Sequence, residues 1–131
     1  MRPGTGPWWR QARADERPAL DPALTRFAER LRDELGAQRV LLFGSHARGI
    51  AEPDSDYDLI VVAERFRSVP RLRRSIGLRD LFYGVGGNAP MDLICLTPEE
   101  FDDARQHITL VSAVLPGAVD LLATQEDVRS Q

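Results

Sequence analysis

The sequence predicts an α/β (α+β) domain in which a small β-sheet is flanked by helices. Three observations carry that expectation. Short, largely apolar runs at Val40–Phe43, Leu59–Ala63 and Met91–Leu96 have the length and composition of buried strands. Segments with helical periodicity and recognisable caps alternate with them. The chain length of 131 residues suits one domain whose core needs no disulfide or metal staple.

Taken in order, residues 1–20 hold Pro3, Gly4, Gly6, Pro7 and Pro18 among several arginines, a composition that disfavours a packed element. It predicts a flexible tail before a domain spanning residues 21–125. Trp8 and Trp9 stand out in that tail, either as a tether to the core or as a contact for a partner. The first helix has Asp21 as N-cap, Pro22 at its first position, and Leu24, Phe27, Ala28, Leu31 and Leu35 on one face; Gly36 ends it. Strands follow at Val40–Phe43 and Leu59–Ala63. Pro70–Tyr83 reads as a helix offering Leu72, Ile76, Leu81 and Phe82 to the core, stopped by Gly84-Val85-Gly86-Gly87-Asn88. After the strand Met91–Leu96, Thr97 and Glu100 have capping-box spacing around Pro98. A last helical region runs over Ile108–Leu122, broken near Pro116-Gly117.

Charge and composition exclude several classes. The net charge is −3, so the whole molecule exerts no long-range attraction on nucleic acid. No apolar run is long enough to span a bilayer. A single cysteine, Cys95, rules out an internal disulfide framework and is expected to be an inert core residue. With no secretory leader visible, a soluble protein of the reducing cytoplasm is expected. All 17 strongly basic residues are arginines, so a Walker phosphate loop, which needs lysine, is excluded.

The chemistry-bearing pattern is Gly44-Ser45, ten intervening residues, then Asp56-Tyr57-Asp58. It sits between the first two strands. Gly44 lets the backbone pass closely by a ligand. Ser45 is placed to cap a helix beginning there and to offer its hydroxyl to a phosphate, beside N–H groups that attract anions. Asp56 and Asp58, two apart on a strand, face the same way, and Asp92 joins them if the second and third strands are neighbours. Carboxylates so placed repel one another unless a divalent cation neutralises them, and oxygen-only ligands suit magnesium or manganese. Singly, each feature has an ordinary explanation: a turn, a solvated acidic loop, a strand-edge acid. A calcium loop of EF-hand type is excluded, because Leu59 and Arg65 stand where its glycine and glutamate would be.

This combination resembles the DNA polymerase β-type nucleotidyltransferase superfamily. The wording Gly44-Ser45-His46-Ala47-Arg48-Gly49 is most similar to its minimal nucleotidyltransferase (MNT) domain proteins. The resemblance covers about Val40–Leu96. It implies the polymerase β-like fold with a small mixed sheet, Asp56 and Asp58 on two Mg²⁺ ions, Asp92 on the catalytic one and helping to deprotonate the attacking hydroxyl, and Gly44 and Ser45 on the triphosphate of ATP. It further implies an antitoxin that transfers AMP to a tyrosine of a partner HEPN-domain toxin. Neutralisation by binding alone, and small-molecule transfer of the antibiotic-modifying kind, are the alternatives. A homo-oligomer or a hetero-oligomer with the toxin is compatible with it.

Among the remaining candidates, His46 is expected at the surface and His107 in a structural role. Arg48 is expected to pair with an acid or steady the turn. Arg71, Arg73, Arg74 and Arg79 are expected to form a solvated basic face or a contact for an acidic partner or phosphates.

Overall fold

The computed structural model describes residues 12–13, 20–52, 55–107 and 109–122. Trp8 and Trp9 lie outside them. Five strands form one mixed sheet in the order β1-β5-β2-β3-β4: β1 (Ala12–Arg13), β2 (Arg39–Phe43), β3 (Tyr57–Val62), β4 (Met91–Leu96) and β5 (Val119–Asp120). The helices are α1 (Pro22–Leu35), α2 (Ser45–Arg48), α3 (Leu78–Gly84), α4 (Pro98–Arg105) and α5 (Leu110–Val114).

Two layers of side chains cover the sheet. Alternation along each strand sends Val40, Leu42, Leu59 and Val61 to one side, where α1 contributes Leu24, Phe27 and Leu31 and α3 contributes Leu78 and Phe82. Leu41, Ile60, Val62 and Leu96 face the other side, against Phe101 of α4 and Val111 of α5. Burial on both faces explains why these strands read as apolar runs rather than as alternating ones.

The first helix forms as its sequence dictates. Asp21 accepts from the Ala23 N–H at 2.9 Å, and Gly36 closes the helix in the left-handed region at φ 69°. The capping box also forms: Thr97 Oγ1 accepts from the Glu100 N–H at 3.1 Å, while Glu100 Oε1 accepts from the Thr97 N–H at 2.8 Å.

Three expectations are corrected. The continuous helix over 70–83 does not form: a 3₁₀ turn at Arg71–Arg73 leads through Gly77, at φ 87°, into the short α3. Leu72 and Ile76, expected in the core, are 95% and 72% exposed. The reason is Arg74. Its buried guanidinium donates to Val69 O, Cys95 O and Glu100, which fixes the chain in a path that helical propagation would break. Second, the region after residue 108 is helical only over α5 and a 3₁₀ turn at Leu115–Gly117, because Val119 and Asp120 pair with Leu42 and Leu41. Third, within the expected tail, Ala12 and Arg13 pair in parallel with Val119 and Asp120.

Among the described residues β4 is one edge of the sheet, and arginines occupy part of it. Arg79 Nε donates to Met91 O at 2.9 Å, and Arg74 donates to Cys95 O at 3.1 Å. Only Arg74 leaves the solvated basic face expected of this segment; Arg71, Arg73 and Arg79 remain exposed.

Candidate active site

Three chain segments meet at one end of the sheet because of strand direction. β2 runs antiparallel to β3 with Phe43 opposite Asp58, so the turn leaving β2 comes down beside the start of β3. β3 and β4 run parallel with Asp58 opposite Asp92, so both starts lie at that end. Neighbouring strands are separated by about 4.8 Å. Asp58 and Asp92 also share the face of Ile60, Val62, Ile94 and Leu96. The neighbour relation that the sequence left conditional is therefore present.

The Gly44 turn is fitted to this corner. Gly44 has φ 81° and ψ −156°, a combination essentially confined to glycine. A Cβ at Gly44 would stand 2.6 Å from Asp58 Oδ2, well inside contact distance. Backbone and carboxylate thus pack directly, with no space for a side chain between them.

Ser45 does not cap α2, contrary to expectation. The cap position falls on Gly44, and Ser45 is the first residue of a single turn whose Arg48 N–H bonds Gly44 O at 3.2 Å. The Ser45 hydroxyl consequently makes no hydrogen bond to any described residue and stays available to a ligand. The first N–H groups of the turn precede any carbonyl it can offer them. With four residues, α2 has little macrodipole, so its anion affinity comes from those N–H groups.

The carboxylates act on one another. Burial raises the Asp58 pKa, the charges of Asp92 and Asp56 raise it further, and His46 opposes them. Asp58 is half-buried, while Asp56 and Asp92 are exposed. β3 begins at Tyr57, so Asp56 stands just ahead of the strand rather than within it. Among the described residues, no three His, Cys, Asp or Glu side chains are gathered in a ligating arrangement as they stand. Backbone register holds Asp58 and Asp92 side by side while Asp56 precedes the strand, and all three offer oxygen, the donor type that suits a hard divalent cation.

His46 is the residue that sequence reasoning missed. It is half-buried rather than superficial. Its Nε2 donates to Ser55 O at 2.9 Å, and its ring lies 4.1 Å from that of Tyr57 at an interplanar angle of 36°. Tyr57 in turn packs edge-on against Phe82, with ring centroids 5.9 Å apart. Burial and the Asp21 charge raise the Tyr57 pKa. No local pattern signals the ring contact, because it joins two elements. Arg48 is exposed and forms no ion pair with a described residue, so its expected pairing with an acid is absent there. His107 is exposed, with Nδ1 donating to Asp103 O at 2.7 Å.

On the same side of the sheet as Ile94 and Leu96, a groove of about 500 Å³ lies between β4, α4 and α5. Ile94, Leu96 and Val111 line it, with Arg71 and Asp103 at its rim. No helix among the described residues is long and apolar enough to cross a membrane.

"Protein adenylyltransferase MntA" of Thermococcus cleftensis (strain DSM 27260 / KACC 17922 / CL1) is 34% identical over 68 residues, which are 52% of this chain and 66% of that protein. The matched stretch is thus just under two thirds of the relative's length. A crystal structure from Sulfolobus solfataricus assigned as a nucleotidyltransferase superposes with a TM-score of 0.49 at 20% identity, covering 76% of this chain and 83% of that one. The model of the family described as "Nucleotidyltransferase domain" matches residues 24–130, and the chain belongs to that family.

Proposed function

We propose that this domain is a Mg²⁺-dependent protein adenylyltransferase that moves AMP from ATP to a tyrosine hydroxyl of a partner HEPN-domain toxin and acts as its antitoxin. One observation carries the proposal: strand register puts Asp58 beside Asp92, at the corner where Gly44 packs against the Asp58 carboxylate. The 34% identical MntA relative supports the choice of a protein acceptor.

Asp56, Asp58 and Asp92 would hold two Mg²⁺ ions, which when bound supply positive charge to the attacking and leaving oxygens. Gly44 admits the triphosphate close to the backbone, and Ser45 donates its hydroxyl to a phosphate oxygen. Asp92 accepts the proton of the acceptor hydroxyl. The freed oxygen bonds to the α-phosphorus, the bond from that phosphorus to the bridging oxygen breaks, and pyrophosphate leaves with the electron pair. Asp56 and Asp92 are exposed, which leaves them open to an acceptor carried by another protein.

The test is label transfer to a partner protein in lysate of the source cells, from ATP labelled at the α or the γ phosphate. A band labelled only from the α position by wild type, and absent with Asp56→Ala/Asp58→Ala, is expected. No band from either position would overturn the proposal.

A further inference from the structure

We propose that His46 is a positioning residue that fastens the phosphate turn to the acid-bearing loop, so that Gly44-Ser45 and Asp56-Asp58 are presented as one preorganised unit. This rests on the nucleotidyltransferase reading of the same corner. The two halves of the site lie on different elements separated by ten residues, and the β2/β3 ladder ends at the pair Phe43–Asp58. Beyond that pair, among the described residues, no strand hydrogen bond holds the turn to the loop. His46 supplies the link by two unlike contacts.

The first is polar. Ser55 O is a carbonyl and can only accept, so Nε2 of His46 carries the proton and donates at 2.9 Å. The loop it grips is closed on itself: the Ser55 N–H donates to Glu52 O at 3.0 Å, and the Glu52 N–H donates to Ser55 Oγ at 3.1 Å. Asp56 follows directly, so anchoring Ser55 fixes where Asp56 starts.

The second contact is apolar. The imidazole lies against the ring of Tyr57, the residue between the two acids, and Tyr57 is held from behind by Phe82. Tyr57 is 8% exposed and cannot yield outward. A side chain at position 46 must therefore be flat enough to stack and must donate at its far end. Gln can reproduce the donor, and Phe can reproduce the ring.

Fold, loop order and ligand affinity are measured on wild type, His46→Phe and His46→Gln. Thermal unfolding reports the fold, amide exchange of the peptide carrying Ser55–Asp58 reports the loop, and equilibrium binding of a non-hydrolysable ATP analogue with Mg²⁺ reports the site. The Phe variant is expected to unfold within a few degrees of wild type, while its loop amides exchange about threefold to tenfold faster and the analogue binds more weakly by a similar factor. Gln is expected to recover most of both. Wild-type exchange and affinity in the Phe variant, or no recovery in Gln, would overturn the proposal. If wild type binds no analogue but the Phe variant still loosens the loop and Gln restores it, the fastening role stands and the nucleotide reading falls.

Discussion

Asp58 stands beside Asp92 in the parallel register of β3 and β4, and the charge of Asp92 adds to burial in raising the Asp58 pKa. The sign for stability follows. A carboxyl whose folded pKa is raised costs the fold free energy once it ionises, and the cost disappears as the pH falls below its ordinary value of 3.8. Asp58→Asn is therefore expected to be more stable than wild type at neutral pH, by about 0.5–2 kcal/mol, and equal to it near pH 3. Transfer activity is expected to vanish. Thermal melts across pH, with and without Mg²⁺, check this: Mg²⁺ should raise the melting temperature of wild type and not that of the variant.

Gly44→Ala tests the packing of turn on acid. Its φ 81°, ψ −156° conformation and the 2.6 Å approach of the new Cβ to Asp58 Oδ2 act together. The substitution is expected to cost about 1–3 kcal/mol and to push the carboxylate out of place, so that transfer falls even where the protein remains folded. Wild-type activity in a folded Gly44→Ala protein would contradict the geometry.

Glu100 offers a pH dependence of the opposite sign. Hydrogen bonding from Arg74 outweighs desolvation and, with the Thr97 N–H, holds the Glu100 carboxyl down at about 2. Its contribution is complete above the ordinary value of 4.5 and is lost as the pH falls toward 2. Glu100→Gln is expected to lose about 1–3 kcal/mol at neutral pH, with the gap to wild type closing over that acid range. Denaturant melts at pH 7, 4 and 2.5 measure it.

Cys95 is buried, and desolvation pushes its thiol up to about 11. A thiol reagent at pH 8 is expected to label it about a hundredfold more slowly than a free cysteine, with full labelling once denaturant unfolds the chain. Rapid labelling of the native protein would show that β4 opens readily.

Much of this architecture was legible in local signals. Asp21, Pro22 and Gly36 delimit α1, and Thr97 with Glu100 starts α4, because caps act within a few residues. The juxtaposition of Gly44, Asp58 and Asp92 in the candidate site was legible because strand alternation and the short turn leave little freedom in where they project. What the sequence concealed depends on distant partners. Leu72 and Ile76 have helical spacing, yet Arg74 draws its bonds from Cys95 and Glu100 and holds the segment in turns. β5 is two residues long and exists only because β2 has an open side for it. His46 looked superficial because the Tyr57 ring that covers it belongs to the next strand.

The arginines along β4 have a bearing on self-association. An unoccupied sheet edge is a template on which another chain can zip up backbone to backbone, and the strand bearing Asp92 lies at such an edge. Arg79 and Arg74 occupy the carbonyls of Met91 and Cys95, and they place positive charge where an incoming strand would lie. Pairing of another strand along this edge is thereby discouraged.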